Sequence, residues 1–317
     1  MRLVFFGSGA FGVPTLRALA ELHEVVTVVT QPDRPAGRGK TLSPTPIAQT
    51  AAEILPGVEI LKPERVNTPD IRDHIRDIDA DAWVVIAFGQ KLGQKLLADK
   101  FAINLHASRL PRWRGAAPIS AAILAGDEAT GVSVITLADE MDAGFVLGQT
   151  SRPVDPRLTV GELHDVLAED GVSVVLDVLE RHTSGTLAPI EQDADNVTLA
   201  PKLSKADGWV DFTDTAETCR NRVHGLTPWP GVSINLARVS LKLLRVVAEP
   251  SAHAATPGTL IDPAGLIACG HGTALRLVTI QPAGKKPMDF AAFARGRPLT
   301  AGETATSERQ PCARSGT

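Results

Sequence analysis

Between residues 3 and 106 short apolar runs alternate with amphipathic stretches, and few folds accept that pattern. The runs at 3–6, 25–30, 58–61, 83–87 and 102–106 are short and almost wholly apolar, as strands covered on both faces are. Between them, 13–22, 47–55, 70–78 and 94–98 read as helices. Strand–helix alternation predicts an α/β domain, a Rossmann-like doubly wound parallel sheet with right-handed crossovers. Two more strands are expected at 131–137 and 145–152, and a long helix from Val160 to about His182.

The pattern stops near Gly185. Residues 185–204 hold Gly, Pro, Ala and Asp without periodicity and read as a linker between a first domain, 1–184, and a second, 205–317. The second opens with a helix at about 216–223. Closely spaced apolar runs follow at 232–236, 241–247, 259–261, 266–268 and 275–280, the signature of a small OB-type β-barrel. The polar, small-residue tail after about Thr300 is expected to be disordered.

Composition excludes some classes of function. With 44% apolar and 21% charged residues the chain can bury a sizeable core. No run approaches the roughly 18 apolar residues of a membrane span. The apolar start is followed at once by Gly7-Ser8-Gly9, which fits a first core strand better than a signal peptide. Cys219, Cys269 and Cys312 share no metal or redox spacing, and a reducing cytoplasm is expected; a monomer and the absence of a bound metal are separate expectations. A net charge of −4 argues against a uniformly basic nucleic-acid binder. From Lys205 onward, however, 13 Lys and Arg stand against 9 Asp and Glu, which is compatible with an anionic partner there.

Gly7-Ser8-Gly9-Ala10-Phe11-Gly12 matches the dinucleotide-binding G-x-G-x-x-G between a strand and a helix. The ribose-binding acid expected at the end of the second strand is missing, because that strand ends Val28-Val29-Thr30-Gln31. A tight turn that lets the first helix pack on the sheet is the favoured reading.

The chemistry-bearing constellation lies at the end of the fifth strand, Ile103-Asn104-Leu105-His106-Ala107-Ser108. Alternation puts Asn104, His106 and Ser108 on one side, at the sheet edge where such folds bind ligands. An uncharged N–H donor beside an imidazole suits oxyanion stabilisation and proton transfer in acyl chemistry. No nucleophile elbow accompanies them, so direct attack by the acceptor is more economical than a covalent intermediate.

The stretch Asn104-Leu105-His106-Ala107-Ser108-Arg109-Leu110-Pro111-Arg112-Trp113-Arg114-Gly115 resembles the N-x-H-x-S-L-L-P signature of the 10-formyltetrahydrofolate-dependent formyltransferases. Met141-Asp142-Ala143-Gly144 is similar to that family's D-x-G segment. The resemblance implies that Asn104 and His106 hold the formyl oxygen as charge develops and that Asp142 pairs with His106. It also implies a folate pocket lined by Phe88, Gly89, Gln90 and Leu92 and by Ser108, Arg109, Leu110 and Pro111. Phe88 stands where Tyr is usual and Arg109 where Leu is usual.

The acceptor amine is suggested by Thr30-Gln31-Pro32-Asp33-Arg34-Pro35-Ala36-Gly37-Arg38-Gly39-Lys40. Taken alone it is a solvated loop with three cations. It closely resembles the loop by which family members that formylate methionyl initiator tRNA enter the acceptor arm, and this resemblance makes Arg38 the main cation, beside Arg34 and Lys40. Lys202 and Lys205 look like part of the same members' tRNA-side barrel. The implied activity is formyl transfer from 10-formyltetrahydrofolate to the α-amino group of methionyl initiator tRNA, in translation initiation. An amino-sugar-nucleotide acceptor is disfavoured by the Arg38 loop, and a dinucleotide oxidoreductase by the missing acid. A noncatalytic RNA-binding relative is disfavoured because Asn104, His106 and Asp142 are all present.

Overall fold

The computed structural model describes residues 1–36, 41–307 and 309. Contacts divide the chain into two units: 1–114, 131–152 and 164–199 in the first, and 115–130, 153–163 and 200–317 in the second. This division differs from the contiguous 1–184 and 205–317 expected from the sequence. Two excursions of the chain join the second unit, and most of the expected linker packs within the first.

The first unit is built on seven strands: β1 (Arg2–Gly7), β2 (Glu24–Val29), β3 (Glu59–Leu61), β4 (Ala82–Ile86), β5 (Ala102–His106), β6 (Ser133–Thr136) and β7 (Val146–Gln149). Their order is β7-β6-β5-β4-β1-β2-β3. β1 to β5 are parallel, while β6 runs antiparallel to β5 and β7 antiparallel to β6. Helices α1 (Val13–Leu22), α2 (Pro46–Ile54), α3 (Pro69–Asp77) and α4 (Gln94–Leu97) connect the parallel strands. The chain continues through α5 (Pro118–Ala125) to α6 (Val160–Thr183). Leu3, Val4, Phe5, Phe6 and Trp83 are fully buried, as a sheet covered on both faces requires. The strand order reverses at β1, so the carboxyl ends of β1, β4 and β5 open on the crevice where ligands bind in such sheets.

Two of the motif's three glycines are packing residues. A Cβ on Gly7 would lie 2.6 Å from the Phe5 ring, and one on Gly12 3.2–3.3 Å from Phe5, Ile47 and Ile86. They let the turn after β1 sit close against the sheet. Ser8, between them, accepts the Gln31 N–H at 3.0 Å and donates to the Phe88 carbonyl at 2.9 Å, tying together the chain ends after β1, β2 and β4.

The second unit contains α5, α7 (Ala216–Gly225) and a curled antiparallel sheet. Its strands are β8 (Val232–Leu236), β9 (Val239–Pro250), β10 (Leu260–Asp262), β11 (Leu266–Ala268), β12 (Thr273–Pro282) and β13 (Met288–Asp289), in the order β8-β9-β12-β11-β10 with β13 on β12. The pairing of β9 with β12 shifts register on either side of Arg245, and such bulges bend a strand. Cys219 and Val223 of α7 enter the same core as Leu241, Leu243, Leu275 and Leu277. A short helix, α8 (Phe290–Arg295), follows β13 and buries Phe290.

Disorder from about residue 300 was expected, and the structure corrects that for 302–307. Asn235, in edge strand β8, exchanges both backbone hydrogen bonds with Thr306 at 2.7 and 2.9 Å. Leu260, in edge strand β10, donates to Glu303 at 2.7 Å and accepts from Gly302 at 2.9 Å. The segment therefore bridges the two open edges of the sheet. Its polar composition hid this role, because a stave that supplies mainly backbone groups needs little apolar side chain; only Ala305 is deeply buried, at 3% exposure. Residues 308 and 310–317 lie outside the described residues.

Candidate active site

Asn104 and His106 lie two residues apart on β5, so the pleat sends both side chains to one face of the sheet. Asn104 is paired with Val85 on one side and Ile135 on the other; His106 is paired with Ser133. The Asn104 side chain is half-buried, and no other described residue hydrogen-bonds its carboxamide. His106 is buried, with an acceptor at each ring nitrogen. Nε2 donates to the Trp113 carbonyl at 2.9 Å, and Nδ1 lies 3.6 Å from Asp142 Oδ2. The carbonyl, which can only accept, holds the neutral ring's proton on Nε2. Nδ1 is then the nitrogen able to take a proton, and the cation so formed would stand beside a carboxylate.

Asp142 is reached through the turn between β6 and β7. The turn is tight enough that a Cβ on Gly144 would sit 1.8 Å from the Thr136 carbonyl oxygen. Asp142 itself has φ 57, and Trp113, whose carbonyl holds the imidazole, has φ 64. Left-handed backbone at a non-glycine residue costs about 1–3 kcal/mol and persists where surrounding contacts over-determine it. Both partners of His106 are thus held in backbone that relaxed chains avoid.

The candidate folate loops are shaped mostly by side chains facing the protein. Phe88 is 2% exposed, and its ring meets Phe6 edge-on at 5.7 Å in the core beside Trp83. A Tyr hydroxyl at that position would have to be accommodated in the core, so Phe in place of Tyr does not alter a ligand-facing surface. The Phe88 carbonyl accepts from Ser8 Oγ and from Gln31 Nε2. Gly89, at φ 85, makes the turn. Gln90 spends both ends of its amide on the neighbouring loop, accepting from Val66 N at 2.8 Å and donating to Pro63 O at 3.0 Å, and Leu92 is buried. In the second loop Ser108 is fully buried and donates to Arg112 O, while Leu110 packs with Ile135 and Val146. Arg109 is exposed and Pro111 half-buried. A ligand in this crevice would meet chiefly the backbone of these loops. Among the described residues, no group of three or more His, Cys, Asp and Glu side chains could hold a metal ion.

The sequence pattern of the family described as "Formyl transferase" matches residues 1–179, and that of "Formyl transferase, C-terminal domain" matches 202–298. The chain belongs to the formyltransferase family. It is similar to the methionyl-tRNA formyltransferase of Acidiphilium cryptum (strain JF-5), 44% identical over 95% of this chain and 99% of that protein. It is also similar to the methionyl-tRNA formyltransferase of Thiobacillus denitrificans, 42% identical over 95% and 98%. Solved structures share the fold at lower identity. WlaRD, a sugar 3N-formyl transferase solved in the presence of dTDP and 5-N-formyl-THF, aligns with a TM-score of 0.69 at 14% identity over 90% of this chain and 99% of that one. HypX from Aquifex aeolicus in complex with tetrahydrofolic acid aligns at 0.62 and 19% identity, over 92% of this chain and 46% of its own.

Of the cations assigned to tRNA, Arg34, Lys202 and Lys205 lie among the described residues. Arg34 lies in a short hairpin, Arg34–Ala36 with Thr41–Ser43, and pairs with Glu64 at 2.8 Å, both side chains being well exposed. Arg38 and Lys40 lie outside the described residues. Lys202 and Lys205 belong to the second unit and are exposed. Sequence alone does not reveal three groups around His106 and Asp142: the Trp113 carbonyl on the imidazole, the Gln192 amide on the Asp142 carbonyl and the Thr198 hydroxyl on the Trp113 N–H. The first is backbone, and the other two lie in the aperiodic stretch taken for a linker. No helix of the described chain is long and apolar enough to cross a membrane.

Proposed function

We propose that this protein transfers the formyl group of 10-formyltetrahydrofolate to the α-amino group of methionyl initiator tRNA, producing N-formylmethionyl-tRNA. The observation that carries the reading is the buried His106 between the Trp113 carbonyl and Asp142, beside the Asn104 carboxamide, which no other described residue hydrogen-bonds, at the carboxyl edge of the sheet. Relatives named for that reaction match nearly the whole chain, which supports the choice of acceptor.

The amine attacks the formyl carbon directly. As the carbonyl oxygen gains charge, the Asn104 N–H donates to it. The His106–Asp142 pair receives the proton shed by the amine at Nδ1, and the ring cation beside Asp142 adds positive charge next to the tetrahedral centre. The C–N10 bond then breaks, N10 takes that proton from Nδ1 and leaves as tetrahydrofolate, and the imidazole returns to its neutral form. The segment at 85–92 holds the pterin through backbone groups, and 108–111 supplies the adjoining folate contact. Arg38 and Lys40, with Arg34, Lys202 and Lys205, contact tRNA phosphates, acting as a sequence-independent electrostatic term. The enzyme acts in the cytoplasm, where its acceptor is used.

The test supplies purified protein with 10-formyltetrahydrofolate and methionyl initiator tRNA and measures N-formylmethionine after deacylation. Formylation of a nucleotide-linked amino sugar with no formylmethionine would overturn the proposal. His106→Ala is expected to lower kcat by about 10²–10⁴-fold while tRNA affinity stays within a few-fold. Arg38→Ala should raise KM for tRNA and leave KM for the formyl donor unchanged; full activity at low tRNA concentration would remove Arg38 from the interface.

A further inference from the structure

Segment 190–198 belongs to the first unit and touches both partners of His106. Ile190 and Val146 exchange backbone hydrogen bonds at 2.8 Å each, which anchors the segment alongside β7. Two residues on, Gln192 Nε2 donates to the carbonyls of Asp142 at 2.7 Å and Gly144 at 2.8 Å. Its Oε1 accepts from Arg114 Nε at 3.0 Å, and the Arg114 side chain is itself only 10% exposed. Farther along, Thr198 Oγ1 accepts the Trp113 N–H at 2.9 Å, and the Thr198 carbonyl accepts the Arg114 N–H at 2.9 Å. One segment thus holds the residue facing Nδ1 of the catalytic imidazole and the residue facing its Nε2.

We infer that Gln192 and Thr198 are positioning residues for His106. Gln192 holds Asp142 in its left-handed turn and Thr198 holds Trp113 in its own, so that the imidazole keeps its proton on Nε2 and presents Nδ1 to the carboxylate. Neither side chain touches the reacting atoms. Arg114 ties the two grips together, since its side chain bonds to Gln192 and its backbone N–H to Thr198. The inference rests on the proposed role of His106 as the proton-handling group. It makes the stretch between the two units' family patterns part of the reaction machinery.

The experiment measures kcat, both KM values and the pH profile of kcat for Gln192→Ala, Thr198→Val and Thr198→Ser, using 10-formyltetrahydrofolate and methionyl initiator tRNA. Thr198→Val keeps the shape and loses the acceptor. It is expected to lower kcat about tenfold or more, as small misplacements of catalytic groups do, with both KM values within about twofold. Thr198→Ser should restore most of that loss. Gln192→Ala should act similarly, and both should displace the acid limb of the pH profile, which a purely structural role would leave in place. In a His106→Asn background neither substitution should lower the residual rate further. Unchanged kcat in both variants, or an undiminished loss in the His106→Asn background, would overturn the inference. Full activity of His106→Asn alone would instead overturn the assignment of His106 on which it rests. If Gln192→Ala does not fold, Gln192→Glu keeps an acceptor for Arg114 and removes the donor to Asp142 and Gly144; it is expected to be folded and slow, and a folded variant at wild-type kcat would count against the inference.

Discussion

Asn104 carries an N–H donor into a half-buried position where nothing else in the described chain uses it. A donor held there costs no reorganisation when negative charge develops nearby, the condition under which one hydrogen bond is worth most to a rate. Asn104→Ala should therefore lower kcat by about 10²–10³-fold with KM for the formyl donor within a few-fold. Asn104→Asp should be at least as slow, because it replaces a donor by a charge of the same sign as the oxyanion. An alanine variant at wild-type kcat, measured by formyl transfer, would remove Asn104 from the reaction. Asn104 and His106 were legible because a strand has a period of two and puts both on one face. Asp142 was legible only through its resemblance to a known motif. The Trp113 carbonyl was not legible at all, since any residue supplies a carbonyl and a left-handed φ at Trp leaves no mark in the sequence.

Elements were recovered where alternation or a short continuous apolar run marks a strand, and missed where no stripe or no apolar run stands out. β8 and β11 match the expected apolar runs residue for residue, because alternation or continuous burial fixes a strand. No element was expected at α5: its sequence, Pro-Ile-Ser-Ala-Ala-Ile-Leu-Ala, is apolar on nearly every side, so it shows no helical stripe. The closing stave at 302–307 failed for the opposite reason, having almost no apolar signal. Its stability role is testable. Ending the chain at Thr300 removes the hydrogen bonds of 302, 303, 305 and 306 to residues 235, 258 and 260, and the Ser307 hydroxyl that donates to Ser233 O and accepts from Val210 N. It opens the core at Ala305. The truncated protein should melt about 5 °C or more below the full chain by calorimetry. An unchanged melting temperature would show that the sheet holds its curl without this segment.

At the scale of the molecule, the second unit gathers pieces of chain far apart in sequence, and His224 is where three of them meet. The side chain is 1% exposed on α7. Its Nδ1 donates to the Pro156 carbonyl at 3.1 Å, and its Nε2 accepts the Val246 N–H at 3.2 Å. Only a neutral ring can do both. Burial, the leading cause, together with Arg245 and Arg220, pushes its pKa from 6.5 down to about 4, against the Pro156 hydrogen bond and Glu162, which favour the charged form. The unfolded chain therefore binds a proton between pH 6.5 and 4 that the folded chain refuses. Stability from this group is full above about pH 6.5 and falls as the pH drops toward 4, by about 3 kcal/mol over the window. His224→Gln can keep a donor and an acceptor while removing the titration. Urea unfolding of both proteins at intervals from pH 7.5 to 4 should show the wild type losing stability faster than the variant, with the gap opening below pH 6.5. Parallel curves through that window would mean that His224 is charged inside the fold, and the Val246 N–H would then have to find its acceptor elsewhere.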